Sequence, residues 1–540
     1  MATGVGSTPQ LKPNAVGLIP VLFQSITHMA PAAAVAFSII FATPYAGGST
    51  ALAVVLALVA CLLVASCIGQ LARHLPSAGG FYTYASRSLN PSAGFLVGWG
   101  FLLSEPIVAP LLFLIFGNLL DTTLHSTLGT PLGTWWIWSI VAAVIVLGLT
   151  YFGVQLSTET GAVLGAFEIV VFLALAITLI VQAGSKNTLQ VFTPSLAADT
   201  RLGGLSGIAQ GMIFGILAFI GFEASIPLAE ETKDPRRTIG RAVLLSCLGI
   251  GLFYVFTTYA GTVAFGPDKM ANFPNAGNGD PWHQLAVQAW GPLWVLVFLA
   301  VANSAIANSN AGANAATRVL YAMGRVGAIP RTFARVHPRY RTPTVAVLAQ
   351  FVYGVVVAVV LGFVTGGPLN AFALLGTVAT FITILIYIAG NISCLRLYRR
   401  EHPEEWNIWL HGVIPVAGTL VFVPPLVAAI GLPPFPSLTA PASFAAPIAI
   451  AWVVIGVAVL FYLRSNRPQS LQEARQVFGE GRPWQLGERR SAENVDEASP
   501  GLVYSSPPVK RSSGNKAETI HFGASTTSLM GRSTATLRST

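Results

Sequence analysis

Residues 215–227 read Gly215-Ile-Leu-Ala-Phe-Ile-Gly-Phe-Glu-Ala-Ser-Ile-Pro227, and residues 24–34 read Gln24-Ser-Ile-Thr-His-Met-Ala-Pro-Ala-Ala-Ala34. Each stretch lies inside a long apolar run, and each carries a helix breaker where the run asks for helix. Gly221 and Pro227 interrupt the first, with Glu223 between them. Pro31 removes a backbone donor in the middle of the second, and small residues follow it. Counted along the chain these are the sixth and the first apolar runs. Either alone reads equally well as an ordinary kink. Two interrupted spans at matching places in two halves point instead to an inverted repeat whose discontinuous helices meet near the bilayer midplane.

Composition agrees with a membrane setting. The chain has 540 residues, of which 53% are hydrophobic and 9% charged; a soluble domain carries about 25% charge. A cytosolic enzyme is thereby excluded. A spanning helix needs about 20 apolar residues, and Ala51 to Ile68 runs without a charge, unlike the short alternating segments of a barrel. Twelve helices are expected, over 16–42, 49–73, 92–121, 135–152, 159–182, 206–230, 241–266, 291–324, 343–364, 369–396, 412–432 and 442–464. His74 to Asn90 reads as a polar connector, and Pro281 to Trp290 as a short helix outside the spans. The first apolar run is longer than a signal-peptide core, so no cleavage is expected. The expected organisation is a cytoplasmic segment 1–15, a first repeat 16–182 (helices one to five), a second repeat 206–396 (helices six to ten), helices eleven and twelve over 412–464, and a disordered cytoplasmic tail 465–540 rich in Ser, Thr, Arg, Glu and Pro.

The formal net charge of +9 is accounted for by topology. With the expected spans, Lys12, Arg73, Arg87, Lys233, Arg236, Arg237, Arg241, Arg318, Arg325 and the arginines of 331–341 and 396–400 fall on one side. Only Lys186, Arg201 and Lys269 fall on the other. The positive-inside rule places the first group, and both termini, in the cytoplasm of a multi-pass cell-membrane protein. No nucleic-acid partner is needed. Cys61, Cys67, Cys247 and Cys394 all sit in apolar runs without metal-type spacing and read as buried small hydrophobes. No catalytic triad, metal site or cofactor motif appears, so no enzyme activity is expected.

Three further stretches carry a family resemblance: Pro76-Ser-Ala-Gly-Gly-Phe-Tyr-Thr-Tyr84 with Gly94-Phe-Leu-Val-Gly-Trp99, then Gly221-Phe-Glu-Ala followed by Ala229-Glu-Glu-Thr-Lys-Asp-Pro-Arg-Arg-Thr-Ile-Gly-Arg-Ala242, then Asn314-Ala-Ala-Thr-Arg-Val-Leu-Tyr-Ala-Met-Gly-Arg-Val-Gly-Ala-Ile-Pro330. In this order they resemble the amino acid–polyamine–organocation superfamily of secondary transporters, over about residues 16–464. The resemblance implies an all-α, five-plus-five inverted-repeat transporter with helices one and six broken, importing an amino acid by proton-coupled alternating access. A polyamine or organic cation is the rival substrate, and a transporter-like nutrient sensor the rival from another class. The chain departs from the family pattern in three places. Met29-Ala-Pro-Ala-Ala33 stands where a glycine-rich break is common, Gln70 where an acid commonly ends helix two, and Glu168 where many members place a lysine in helix five.

The physical reading locates a site. A broken helix frees N–H groups at one end and carbonyls at the other, and in a membrane these must line a cavity or bind something. N–H ends favour a carboxylate, and carbonyl ends an ammonium or a cation. Thr27, His28, Met29, Ala30, Pro31, Ala32 and Ala33 are expected to form one wall, and Phe219, Ile220, Gly221, Phe222 and Glu223 the other, with Phe219 or Phe222 as a gate. His28 reads either as a packing residue or as a ligand. Three acids lie inside spans, Glu105, Glu168 and Glu223, and no lysine lies deep in any. Glu105 precedes Pro106 and serves either local backbone or, with Glu168, the coupling ion; Glu223 serves either the unwound backbone or the ligand. Glu168, completed by Ser304 and Asn308 of helix eight, is expected to hold the coupling ion, a proton or Na+, or else to make a structural bond to the helix-one backbone. Asn303, Asn310, Asn314 and Thr317 form a stripe suited either to joining helices or to lining an ion path. The expected partners are the lipid bilayer and a small-molecule substrate.

Overall fold

The two breaks form where the local residues dictate. In a computed structural model of the chain, described for residues 16–77, 79–153, 158–230, 232–325, 330–340 and 342–466, helix α1 (Leu18–Met29) stops at Ala30, which turns left-handed at φ 48°. Pro31 has no N–H to continue the ladder, and it restarts the chain as α2 (Pro31–Ala33). The segment continues through a π turn, a 3-10 turn and α3 (Thr43–Ala46). The second break follows α9 (Leu205–Phe219), where the chain passes through Gly221 at φ 113° into a 3-10 turn, Ile226–Glu230.

Between and beyond the breaks run α4 (Thr50–His74), α5 (Gly80–Ser88), α6 (Pro91–Leu128), α7 (Trp135–Tyr151), α8 (Thr158–Ala183), α10 (Pro235–Phe265), α11 (Pro281–Trp290), α12 (Trp294–Arg325), α13 (Thr344–Val364), α14 (Pro368–Arg400), α15 (Ile414–Val421), α16 (Val423–Ile430) and α17 (Ala445–Asn466). Among the described residues the only bridge of extended chain joins Val16 to Thr232, so the fold is all-helical. Among the described residues ten helical stretches are long and apolar enough to cross a membrane; the first runs 57 residues from Leu18 to His74, and Trp135–Tyr151 is a shorter apolar helix. Exposed apolar side chains line the outer faces of α8, α13 and α17, among them Val163, Val170, Val360, Val364, Val454 and Phe461. Such a surface suits lipid rather than water. The described residues all belong to one compact unit.

Long helices in this fold carry their own repairs. The 38-residue α6 is capped by the Asn90 side chain, which accepts the Ala93 N–H at 2.9 Å. Pro110 supplies no N–H for the Pro106 carbonyl one turn earlier, and the Gln350 side-chain amide of α13 donates its Nε2–H to that carbonyl at 3.0 Å. At the other end of α6, Asp121 accepts the backbone N–H groups of Gly133 and Thr134, both at 2.9 Å, and so caps the start of α7. Trp99 of α6 and Trp452 of α17 stack at 4.7 Å, and each indole N–H donates to the other's carbonyl at 2.9 Å. Close approach of α4 to α10 relies on Gly69 and Gly240, where a Cβ on Gly240 would stand 2.9 Å from the Gly69 Cα.

Several boundaries differ from the sequence reading. The 74–90 connector contains a buried helix, α5, whose Phe81 and Tyr84 are enclosed by neighbours; Phe81 packs against Gly390 and Tyr387 of α14. The sixth span ends as helix at Phe219 rather than 230, because Gly221 breaks it. The seventh starts at Pro235 rather than 241, so Arg236, Arg237 and Arg241 ride on α10, and only residues before Asp234 connect it to the break. The eleventh is divided at Phe422, ahead of Pro424 and Pro425. The four cysteines are free and buried, as their apolar settings imply. The expectations for residues 1–15, for Glu231 and for the tail beyond Asn466 lie outside the described residues.

Candidate functional site

The breaks meet. A Cβ placed on Gly221 would stand 2.5 Å from His28 Cδ2 and 2.8 Å from the His28 carbonyl carbon, so the second break lies directly on the first and only glycine fits there. Tyr254 of α10 holds the pair together: its hydroxyl lies 2.7 Å from the Met29 carbonyl oxygen and 3.0 Å from that of Ala218, a freed carbonyl from each broken helix. The sequence reading missed Tyr254. Its only signal was a hydroxyl inside the apolar run of helix seven.

Beside this junction lies a narrow cavity of about 50 Å³. Its lining includes His28, Met29, Ala30 and Ala33 from the first break and Ile220 and Glu223 from the second, with Glu105 of α6 and Asn308 of α12. Thr27, Pro31, Ala32, Phe219, Gly221 and Phe222 are not part of it. Phe219 packs edge-on against Tyr254 at 5.3 Å, and Phe222 against Tyr387 at 5.4 Å. The aromatic rings at the cavity belong instead to Phe101 and Phe372, on other helices.

The cavity's charged groups are acids and one histidine. His28 Nε2 stands 4.0 Å from Glu105 Oε2, and that oxygen is buried without a hydrogen bond. Asn308 Oδ1 is likewise buried and unpaired. No lysine or arginine is among the described residues that line the cavity.

Three N–H groups at the breaks are already engaged by side chains of the chain itself. Gly221 N–H donates to Glu223 Oε2 at 3.1 Å. Ala32 N–H, at the start of α2, points to Glu168 Oε2 of α8 at 3.5 Å, and Ala33 N–H donates to Ser304 Oγ of α12 at 3.2 Å. Asn303 Nδ2 donates to the other Glu168 oxygen. Glu168 thus joins α8, α12 and the restarted half of helix one, and it is not among the residues that line the cavity. Gly165, one turn earlier on α8, packs against Phe23 of α1. Further along α12, Asn310 Oδ1 accepts from Thr150 of α7 at 3.1 Å and from Asn314 at 3.3 Å, so this part of the stripe joins helices.

Comparison with known proteins agrees with the architecture. Residues 20–472 match the family described as amino acid permease. The chain is similar to the low-affinity putrescine importer PlaP of Escherichia coli, 28% identical over 339 residues, covering 61% of this chain and 71% of that one. It is similar to the branched-chain amino acid permease BcaP of Bacillus subtilis, 24% identical over 444 residues, covering 79% and 88%. It is also similar to cationic amino acid transporter 4 of Mus musculus, 25% identical over 387 residues, covering 67% of this chain and 56% of that one. These relatives are transporters and not enzymes, as the absence of a catalytic motif led one to expect. The match spans the helical unit with both of its breaks, and this multi-pass transporter belongs to the amino acid permease family.

Proposed function

We propose that the chain imports a small amine-bearing substrate by alternating access, binding it in the cavity between the two breaks. One observation carries this reading: Glu105 Oε2 and Asn308 Oδ1 stand at the cavity as buried acceptors without a hydrogen bond, beside Glu223, while the Ala32, Ala33 and Gly221 N–H groups of the two breaks are already directed to Glu168, Ser304 and Glu223. An ammonium group supplies the donors and the positive charge that two enclosed carboxylates lack. A substrate carboxylate would have to displace a protein carboxylate from the backbone before finding a donor. The geometry therefore favours an organic amine cation, such as a polyamine, over the zwitterionic amino acid that the sequence reading put first. The amino acid remains the second reading, supported by the family match and by the extent of similarity to a branched-chain amino acid permease. In that case Glu168 yields the α2 N–H groups to the substrate.

The topology that goes with this function is twelve spans. It counts α4 separately from the broken helix before it and adds the shorter apolar Trp135–Tyr151. Residues 16–182 and 206–396 form the inverted repeats, and both termini are cytoplasmic. Coupling to a proton is assigned to Glu168, whose two oxygens bridge α8, α12 and α2, with Ser304 beside it; Glu105 and Asn308 lie at the cavity itself.

Uptake into proteoliposomes tests the reading with labelled putrescine, arginine, leucine and alanine, with and without a pH gradient. Saturable diamine uptake that excess leucine leaves untouched is the expected result. Leucine uptake that excess diamine cannot compete with would overturn the cation reading in favour of the amino acid. Uptake that survives deletion of residues 470–540 would separate a transporter from a sensor acting through its tail.

A further inference from the structure

A lateral groove of about 500 Å³ opens on the outer surface between α1, α8 and α10. Its floor is Ile26 of α1 with Ile250 and Phe253 of α10, all buried. Its rim includes Leu245 and Leu252 of α10, which are half exposed. The groove is widest open at Gly249, where an added Cβ would meet nothing within 4 Å. Every described residue that lines it is apolar or glycine, so it offers a transported amine nothing to bind. Water finds no hydrogen-bond partner on such a wall, and a void forfeits the dispersion contacts of its lining. In a bilayer the acyl chain of a lipid fills such a groove. The chain alone is not selected, because lipid tails are as apolar as the groove.

Selection comes from charge at the head of the same helix face. Arg241, Leu245 and Gly249 follow one another at four-residue spacing on α10, so Arg241 stands one turn beyond the groove in line with it. Arg237 lies a further turn on, and both arginines are exposed. Arg237 approaches Asp234 only at 4.0 Å with both side chains largely in solvent, and among the described residues Arg241 makes no ion pair. Long basic side chains near a helix end reach to the headgroup level, and a guanidinium there meets a phosphate with a planar fork of donors. The positive-inside rule sets this end of α10 at the cytoplasmic leaflet, the one that carries anionic lipid. We propose that the groove between α1, α8 and α10 binds one anionic phospholipid, with an acyl chain lying along Gly249 and the phosphate on Arg241, Arg237 beside it. Leu22 and Ile26 of the groove belong to α1, whose last residues line the central cavity, so the lipid packs directly on a broken helix of the transport site.

The test uses the full chain, purified in detergent and washed free of lipid. Dioleoyl phosphatidylglycerol and dioleoyl phosphatidylcholine, which share their acyl chains, are offered in equal amounts, and bound lipid is counted by native mass spectrometry. One retained phosphatidylglycerol per chain is expected, favoured over phosphatidylcholine by about fivefold or more, the factor that one interfacial cation supplies. The double variant Arg237→Gln, Arg241→Gln should retain the two lipids equally. Gly249→Phe points its ring into open space and improves helix propensity, so it should fold while expelling both lipids. Equal retention of the two lipids by the wild-type protein overturns the proposal. So does full retention of phosphatidylglycerol by Gly249→Phe, or a preference that survives in the double arginine variant. A wild-type dimer that Gly249→Phe dissociates would assign the groove to a second copy instead. A wild-type melting temperature that phosphatidylglycerol raises no more than phosphatidylcholine also overturns it; this last readout needs no variant to fold.

Discussion

Replacing Gly221 by alanine tests whether the two breaks form one site. The added methyl would stand 2.5 Å from His28 Cδ2, 2.8 Å from the His28 carbonyl carbon and 2.9 Å from its oxygen. Carbon contacts relax at about 3.5–4.0 Å, so the breaks must part by about 1 Å or the ring must leave its place 4.0 Å from Glu105. The backbone adds its own cost, since φ 113° at Gly221 lies where a side chain is strained by about 1–3 kcal/mol. Overpacking adds about 1–3 kcal/mol. The sum is about 2–6 kcal/mol, and its lower end corresponds to about a 30-fold loss of affinity for a substrate held between the breaks. Equilibrium binding of labelled substrate to purified Gly221→Ala, with monodispersity on size exclusion as the check of folding, reads this directly. The double variant Gly221→Ala with His28→Ala should recover little, because the backbone carbon and oxygen of residue 28 still obstruct the methyl. Wild-type affinity in folded Gly221→Ala would refute the reasoning.

Tyr254→Phe removes the hydroxyl shared by the Met29 and Ala218 carbonyls and should cost about 1–3 kcal/mol, the price of leaving buried acceptors unpaired; an unchanged denaturation midpoint in detergent would show that the bridge is idle. Glu168→Gln keeps the shape and the acceptor for the Ala32 N–H, its new NH2 meets Asn303 once that amide turns its oxygen round, and it removes titration. It should still exchange substrate across the membrane while losing uphill accumulation driven by a pH gradient, and wild-type accumulation would move coupling to Glu105 or Glu223. Ser437→Cys is exposed in the loop after α16 and should react with an impermeant thiol reagent added outside intact cells, whereas Glu401→Cys, beyond α14, should not. The native cysteines are buried, so their background is low, and the reverse pattern would invert the topology.

The residues themselves decided the class of fold and the positions of its breaks. Nine per cent charge and uninterrupted apolar runs leave lipid as the only solvent that fits. Pro31 and Gly221 act on their own backbone, so their effect is local and legible without neighbours. The metal and catalytic motifs sought in the sequence are also local patterns, and none appeared. What the sequence left open depends on contacts between distant segments. The 74–90 segment is short and polar enough to read as a connector. It becomes the buried α5 because α6 and α14 enclose it and supply Gly390 and Tyr387 to receive Phe81. Freed N–H groups at the breaks were predictable, but only tertiary packing brought Glu168 and Ser304 to occupy them. That occupation is what supports the proposed cation over a carboxylate-bearing substrate. Phe219 and Phe222 lie next to the second break in sequence and yet turn away from the cavity, because a broken helix has no fixed face from which to read direction. Tyr254, and the groove between α1, α8 and α10, join segments far apart in the chain. No spacing rule encodes such meetings, since they follow from how the helices pack.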